Sequence, residues 1–210
     1  MSFLNQIQGF KPQQLKSTVT TVTTVDGRTL EESRDKYGRI KSEMVSQGAQ
    51  GFVGDTKLDL QIAEVLPGLY LSSQDVAADV DILEQHDITH ILNVASMIEN
   101  WFPDDFKYLK IEILDIPESD ISKHFPECFK FIDEALGSKG RVLVHCNAGV
   151  SRSATIVIAY IMRTERMTLQ EAHSKVAGVR PCIRPNAGFQ HQLKTYEKLL
   201  QSENNTSKSK

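Results

Sequence analysis

Over most of the chain, short apolar runs alternate with stretches whose apolar residues recur at helical spacing. Runs at residues 60–65 and 69–71 flank a Pro-Gly pair, which predicts a β-hairpin. The β-branched run at residues 89–94 and the alternating run at residues 108–114 predict two further strands. Strands that alternate with helices in this way are typical of an α/β domain.

Helices are predicted between these strands and again after them. Residues 75–85 and 124–136 both carry an apolar face. In the second of these segments Cys128 shares its face with phenylalanines, so Cys128 is expected to lie in the core. Thr168 and Glu171 have the spacing of a capping box, which predicts the start of another helix.

The N-terminal part of the chain lacks this periodicity. Valine at every third position of residues 17–25 fits neither a half-buried strand nor a helix face. Residues 29–44 are charged and compatible with a short helix, and residues 46–54 have the composition of a linker. This part is either a docking or regulatory arm or a segment without a specific role.

The sequence therefore predicts three segments in a chain of 210 residues. Residues 1–57 form a weakly ordered N-terminal extension. Residues 58–203 form one globular domain, whose last helix ends near Gln201. Residues 204–210 form a polar, disordered tail.

Composition and charge limit the classes of function. The net charge of −3 argues against a general polyanion binder, so no nucleic-acid partner is expected. No apolar run reaches membrane-spanning length and the N-terminus lacks a signal-peptide pattern, so no membrane association is expected. Three cysteines suit a reducing compartment, which predicts a cytoplasmic or nuclear protein. The six histidines lack zinc-ligand spacing, and we predict no metal and no cofactor.

The chemistry of the chain concentrates where a strand, a tight loop and a helix follow one another. The apolar run at residues 142–144 predicts a buried strand that ends in His145 and Cys146, and the run at residues 154–162 predicts a buried helix. Such a turn points backbone N–H groups and the positive end of the helix dipole into one concavity. The same groups hold a phosphate and favour a thiolate, so Cys146 is a candidate nucleophile.

Two side chains after the loop complete this chemistry. Arg152 can bind phosphate oxygens with its planar guanidinium, and Ser153 can donate a hydrogen bond to the sulfur. Together with His145 and Cys146 they resemble the signature of cysteine-dependent protein tyrosine phosphatases, and the stretch HCNAGVSRS is similar to that of the dual-specificity branch. The resemblance covers residues 58–201.

The resemblance is to the atypical dual-specificity phosphatases. The residues that precede the domain are too few for the rhodanese-like kinase-docking domain of the classical MAP-kinase phosphatases. For the fold, the resemblance implies a single α/β domain with a central mixed, twisted sheet of about five strands flanked by helices.

The resemblance also implies the roles of individual residues. It makes Cys146 the nucleophile, makes Arg152 the residue that binds the phosphate and the transition state, and makes His145 and Ser153 supporting residues. The phosphate-binding loop comprises Asn147, Ala148, Gly149, Val150 and Ser151. Asn186 belongs to a stretch that supports this loop through hydrogen bonds, and a role as N-cap of the last helix is equally compatible with it.

A general acid is expected because the oxygen of a serine or threonine is a poor leaving group unless it is protonated. Asp115 closes a predicted strand and lies about thirty residues before Cys146, the position that the resemblance implies for the general acid/base. Asp115 is therefore our prediction. Glu118 and Asp120 are rivals in the same loop.

The sequence thus predicts a protein phosphatase that hydrolyses phosphotyrosine, phosphoserine and phosphothreonine through a phosphocysteine intermediate. The expected partners are phosphorylated proteins, with MAP-kinase pathway components as the family-level expectation, and the chain is expected to be a monomer. A phosphoprotein-binding scaffold of a kinase pathway is one alternative. A phosphatase of non-protein substrates is another, although the neutral residues of the loop 147–151 argue against it.

Arg180 and Arg184 are candidates for binding a second phosphate, but the favoured interpretation is that both lie in a solvated loop.

Overall fold

The computed structural model of the chain describes residues 20–23, 29–34, 40–46 and 58–207. The chain divides into two compact units, Met1–Lys57 and Leu58–Lys210. The predicted linker after Ser46 and most of the extension that is predicted to be weakly ordered lie outside the described residues.

The first unit contains a small antiparallel sheet. Its strands are β1 (Thr20–Thr23), β2 (Thr29–Arg34) and β3 (Ile40–Ser46), and they pair in that order. The predicted short helix within residues 29–44 is therefore wrong, and residues 20–23 of the valine-rich stretch form a strand that was not predicted. The register aligns Val22, Leu30 and Met44 in one row. Pairing between neighbouring strands thus overrides the local charge pattern.

The second unit contains the α/β domain. Its strands are β4 (Ala63–Leu66), β5 (Leu69–Ser72), β6 (His90–Asn93), β7 (Lys107–Lys110) and β8 (Val142–His145). Its helices are α1 (Gln74–Ala77), α2 (Val80–Gln85), α3 (Phe125–Gly137), α4 (Arg152–Thr164), α5 (Leu169–Val179) and α6 (Ala187–Ser207), with a 3-10 helix at Ser122–His124. The five strands form one sheet in the order β4-β5-β8-β6-β7, in which β4 and β5 are antiparallel and the other neighbours are parallel. The predicted α/β fold with a mixed five-stranded sheet is confirmed.

The central strand β8 determines where the functional residues lie. All of its residues are buried, as is typical of a strand covered by helices on both faces. Its last residue, His145, pairs in register with Ser72 of β5 and Asn93 of β6. The loops that leave this carboxyl edge of the sheet therefore meet around the end of β8.

Helix α4 runs through the core. Each of its residues from Arg152 to Met162 is buried, and α3, α5 and α6 pack against it. Cys128 of α3 is fully buried in the same core, which confirms its predicted place. Burial raises the pKa of the Cys128 thiol to about 12, so this cysteine stays protonated at neutral pH.

Several predicted elements are present with different bounds. The hairpin and the capping box at Thr168 are confirmed. The single helix predicted at residues 75–85 is two helices, because the side chain of Asp79 accepts a hydrogen bond from the amide of Ile82 and starts α2 afresh. Helix α6 continues without a break to Ser207, so the prediction of disorder is wrong for residues 204–207, while residues 208–210 lie outside the described residues. None of the helices in the described part of the chain is long and apolar enough to cross a membrane.

Candidate active site

The loop between β8 and α4 bends sharply at Gly149. This glycine has φ of +66°, a conformation that side chains rarely adopt. A Cβ atom at this position would also collide with the carbonyl oxygen of Ser72 on the neighbouring strand. The tight turn of the loop around Cys146 therefore requires glycine at position 149.

The carbonyl groups of residues 147–151 are all turned away from the centre of the loop. Each accepts a hydrogen bond from outside it, and the donors are the amides of Gln74, Arg184 and Thr155 and the guanidinium of Arg180. The C=O and N–H groups of a trans peptide point in opposite directions, so the N–H groups of residues 148–151 face the other side. None of these N–H groups donates a hydrogen bond within the described part of the chain. They form a row of donors suited to a bound oxyanion.

Arg180 is the residue that sequence reasoning missed. It is fully buried, so the favoured interpretation of a solvated loop is wrong for this residue. Its Nε donates to the carbonyl of Gly149 at 2.9 Å, and its Nη2 donates to that of Ala148 at 2.9 Å. Its remaining partners are the carbonyl of Gln61 at 3.0 Å and the carboxylate of Asp59, with which it forms an ion pair. Asp59 is distant in sequence, and nothing local marks Arg180 for burial.

Arg184 has a simpler role in the same segment. Its side chain is exposed, as expected for a solvated loop, and its amide donates to the carbonyl of Val150 at 2.7 Å. The segment that connects α5 to α6 therefore holds the outer side of the phosphate-binding loop through both residues.

The thiol of Cys146 lies at the base of the loop, almost completely buried. The hydroxyl of Ser153 donates to its Sγ at 3.2 Å, the contact expected from the sequence. A hydroxyl in this position stabilises negative charge on the sulfur.

His145 is buried directly below the loop. Its Nδ1 lies 3.4 Å from the carbonyl oxygen of Cys146, a contact that requires the ring proton on Nδ1 because a carbonyl only accepts. Burial lowers the pKa of His145 to about 4, and the charge of Arg152 acts in the same direction. The imidazole is therefore neutral near pH 7. It supports the loop by a hydrogen bond to the backbone of Cys146, and it does not place a positive charge beside the sulfur.

The guanidinium of Arg152 is held at the mouth of the loop. Its Nη1 donates to the carbonyl of Ile113 at 3.0 Å and lies 3.4 Å from Ser96 Oγ, and its Nη2 donates to Asn147 Oδ1 at 2.7 Å. Its Nε is buried, lies 3.6 Å from Asp115 Oδ2, and makes no hydrogen bond among the described residues. A buried donor without a partner costs free energy, so this N–H is suited to an incoming oxyanion.

Asp115 is tied directly to the loop. Its Oδ1 accepts hydrogen bonds from Ser151 Oγ at 2.7 Å and from Asn186 Nδ2 at 2.8 Å. The Oδ1 of Asn186 accepts from the amide of Phe189 at 2.9 Å, so Asn186 both caps α6 and contacts the acid. The cap considered for Asn186 is thus present in its side chain, and its contact with the loop is made by its backbone amide, which donates to Ser151 Oγ at 3.2 Å.

The two rival carboxylates are placed differently. Asp120 Oδ1 accepts from Ser122 Oγ at 2.7 Å and from the amide of Lys123 at 3.2 Å, and so caps the 3-10 helix. The hydrogen bond from Ser122 lowers the pKa of Asp120. Glu118 is exposed. Of the three carboxylates, Asp115 is the one that the structure connects to the residues around Cys146.

Comparison with known proteins places this site in a family. Residues 69–199 match the dual specificity phosphatase catalytic domain. This chain belongs to the dual-specificity phosphatase family. Dual specificity protein phosphatase 19 of Mus musculus is 46% identical over 200 residues, which cover 94% of this chain and 91% of that protein. Dual specificity protein phosphatase 1 of Arabidopsis thaliana is 46% identical over 134 residues, 64% of this chain and 68% of that protein.

Solved structures of dual-specificity phosphatases agree with this assignment. The crystal structure of the human tyrosine phosphatase-like serine/threonine/tyrosine-interacting protein matches with a TM-score of 0.64 and 43% identity, over 66% of this chain and 96% of that one. The structure of DUSP15 matches with a TM-score of 0.62 and 38% identity, over 67% of this chain and 93% of that one. The predicted resemblance to atypical dual-specificity phosphatases is confirmed, and the chain is a hydrolase of this family.

The burial of His145 predicts a pH-dependent stability. Its pKa is about 4 when folded and near 6.5 when unfolded, so the unfolded chain binds the extra proton between these values. The free energy of unfolding should therefore decrease as the pH is lowered from 6.5 to 4, and the decrease should be smaller for His145→Asn. Urea denaturation at several pH values measures this. His191→Asn, at an exposed position, is the control and should keep the wild-type slope. An unchanged slope for His145→Asn would contradict the assignment.

The turn at Gly149 predicts a second effect. Gly149→Ala should lower the free energy of unfolding by about 1–2 kcal/mol or more, because Ala is strained at positive φ and its Cβ meets Ser72. Phosphatase activity should decrease at least about 10-fold as the loop shifts. Gly178→Ala is the matched control, since a Cβ at that helical position meets nothing, and it should raise stability by about 0.5 kcal/mol without affecting activity. Thermal denaturation and aryl phosphate hydrolysis would show the contrast. Equal changes in stability and activity in the two variants would contradict the requirement for glycine at position 149.

Proposed function

We propose that this enzyme hydrolyses phosphotyrosine, phosphoserine and phosphothreonine in proteins through a phosphocysteine intermediate on Cys146. The observation that carries the proposal is the arrangement of unused donors around the sulfur. The N–H groups of residues 148–151 and the buried Nε of Arg152 make no hydrogen bond within the described residues. A phosphate with its bridging oxygen pointing outward would place its remaining oxygens on these donors.

The first chemical step forms a bond between sulfur and phosphorus. The thiolate of Cys146 attacks phosphorus as the bond to the leaving oxygen breaks. Asp115, in its protonated form, gives its proton to that oxygen, which departs as a neutral hydroxyl. Arg152 and the loop amides bind the non-bridging oxygens, whose charge they stabilise in the transition state.

The second step releases phosphate. Water attacks the phosphocysteine, and Asp115, now a carboxylate, accepts its proton. The sulfur leaves as a thiolate, which Ser153 stabilises through the hydrogen bond at 3.2 Å. Because Arg152 and the amides supply the positive charge that the reaction needs, turnover is proposed to need no added metal.

The proposed partners are phosphorylated proteins of MAP-kinase pathways. One relative, 45% identical over 139 residues, is named MAP kinase phosphatase with leucine-rich repeats protein 3, from Dictyostelium discoideum. We also propose that the enzyme acts as a monomer in the cytoplasm or the nucleus. A catalytic thiolate requires a compartment that keeps cysteines reduced, which supports this location.

The decisive test is phosphate release in the presence of a chelator. Wild type should release phosphate from an aryl phosphate and from peptides phosphorylated on Thr and on Tyr. Cys146→Ser should bind the phosphopeptides without turnover, because the loop remains while the nucleophile is lost. Cys182→Ser, at an exposed cysteine, is the matched control and should stay active. Turnover by Cys146→Ser would contradict the mechanism, and binding without release by wild type would favour the scaffold alternative.

The role of Asp115 has a separate test with its own control. Asp115→Asn should lower kcat on a phosphothreonine peptide by about 10²–10³-fold, because the leaving oxygen then departs unprotonated. Asp120→Asn should keep kcat within about 3-fold, since Asp120 caps the 3-10 helix. If Asp120→Asn lowered kcat more than Asp115→Asn, the role of general acid would have to be assigned to Asp120.

A further inference from the structure

Gln192 joins helix α6 to the acid loop, which we define as residues 115–122. Its Oε1 accepts hydrogen bonds from the amides of Ile121 at 2.9 Å and Ser122 at 3.0 Å. Its Nε2 donates to the carbonyl of Ser119 at 2.7 Å. One half-buried side chain therefore satisfies three backbone groups of the loop that carries Asp115.

A second contact brings the same helix and loop together. A Cβ atom at Gly188 would collide with the carbonyl oxygen of Pro117, so the backbones approach closely there. Asn186, at the start of α6, bonds to Asp115 itself. Helix α6 thus meets the acid loop near its beginning, middle and end.

The acid loop has little apolar burial of its own in the segment that carries the acid. Leu114 is 55% exposed and Ile116 is 44% exposed, and residues 117 and 118 are exposed as well. Ile113 and Ile121 are buried at the two ends. Between these anchors the position of the loop depends on polar contacts, of which Asn186 and Gln192 supply those to Asp115 Oδ1 and to the carbonyl of Ser119.

We infer that Gln192 is a positioning residue for Asp115: by fixing the far end of the acid loop, it places the carboxyl group for proton transfer to the leaving oxygen. This inference rests on the proposed role of Asp115 as general acid. Gln192 contacts neither Cys146 nor Arg152 by hydrogen bond, so it has no direct part in phosphate binding.

The leaving group distinguishes this role from a merely structural one. A phosphothreonine releases an alkoxide-like oxygen that needs the proton, whereas an aryl phosphate with electron-withdrawing substituents releases an oxygen that leaves without it. Misplacing Asp115 should slow the first substrate and spare the second. General loosening of the domain should slow both alike.

The experiment compares kcat/KM for these two substrates in the full chain. Gln192→Met keeps the length of the side chain and removes all three hydrogen bonds. Gln192→Glu keeps the acceptor for the amides of Ile121 and Ser122. It loses the donor to the carbonyl of Ser119. Gln201→Met, at an exposed position of the same helix, is the control and should behave as wild type. We expect Gln192→Met to lose about 10-fold or more on phosphothreonine peptide and less than about 2-fold on the activated aryl phosphate, with Gln192→Glu between it and wild type.

A double variant adds a second readout. If Gln192 acts through Asp115, adding Gln192→Met to Asp115→Asn should cause no further loss on the phosphothreonine peptide. Equal loss on both substrates, no loss on either, or additive losses in the double variant would overturn the inference while the proposed function stands. Absence of phosphate release by wild type from either substrate would overturn the proposed function, and this inference with it.

Discussion

The site depends on the outward orientation of five consecutive carbonyl groups in the loop after β8. Peptide groups in a tight loop normally have to satisfy both their donors and their acceptors. Here two of the acceptors are satisfied by the guanidinium of Arg180 and three by backbone amides, while the N–H groups of residues 148–151 have no partner within the described part of the chain. The cost of these unpaired donors is offset by the rest of the fold, and the loop is arranged for an anion before one arrives.

Two other segments converge on this loop from the same edge of the sheet. The loop after β7 brings Asp115, and the start of α6 brings Asn186. Because β5, β8 and β6 end in register, the connections that follow them are brought together without any long excursion of the chain. Regular strand pairing thus sets the approximate position of Cys146 and of the loops around it, and side-chain hydrogen bonds between the loops set the final one.

Local patterns were sufficient to predict the strands of the domain, the helix α4 and the motif around Cys146, because apolar runs and strand-loop-helix turns involve neighbouring residues. The mixed five-stranded sheet was implied by the family resemblance. Arg180 was misinterpreted for the opposite reason. A charged residue beside a proline is typical of a solvated loop. Arg180 is buried because it forms an ion pair with Asp59, which lies far earlier in the sequence. The helix expected in residues 29–44 was wrong for a different reason: the charge pattern of this segment does not reveal that its two halves pair as antiparallel strands. Asp115 was predicted as the general acid with Glu118 and Asp120 as rivals, and the contacts from Ser151 and Asn186 distinguish it structurally from both.

The ion pair between Asp59 and Arg180 also bears on where the catalytic domain begins. The segment that matches the family starts at residue 69, yet Asp59 and Gln61 lie before it and supply two of the partners of the Arg180 guanidinium. A fragment cut at the homologous boundary would leave that buried charge without its counterion, a loss of about 3–5 kcal/mol in typical proteins. The ten residues before the segment that matches the family, 59–68, therefore contribute to the stability of the catalytic domain.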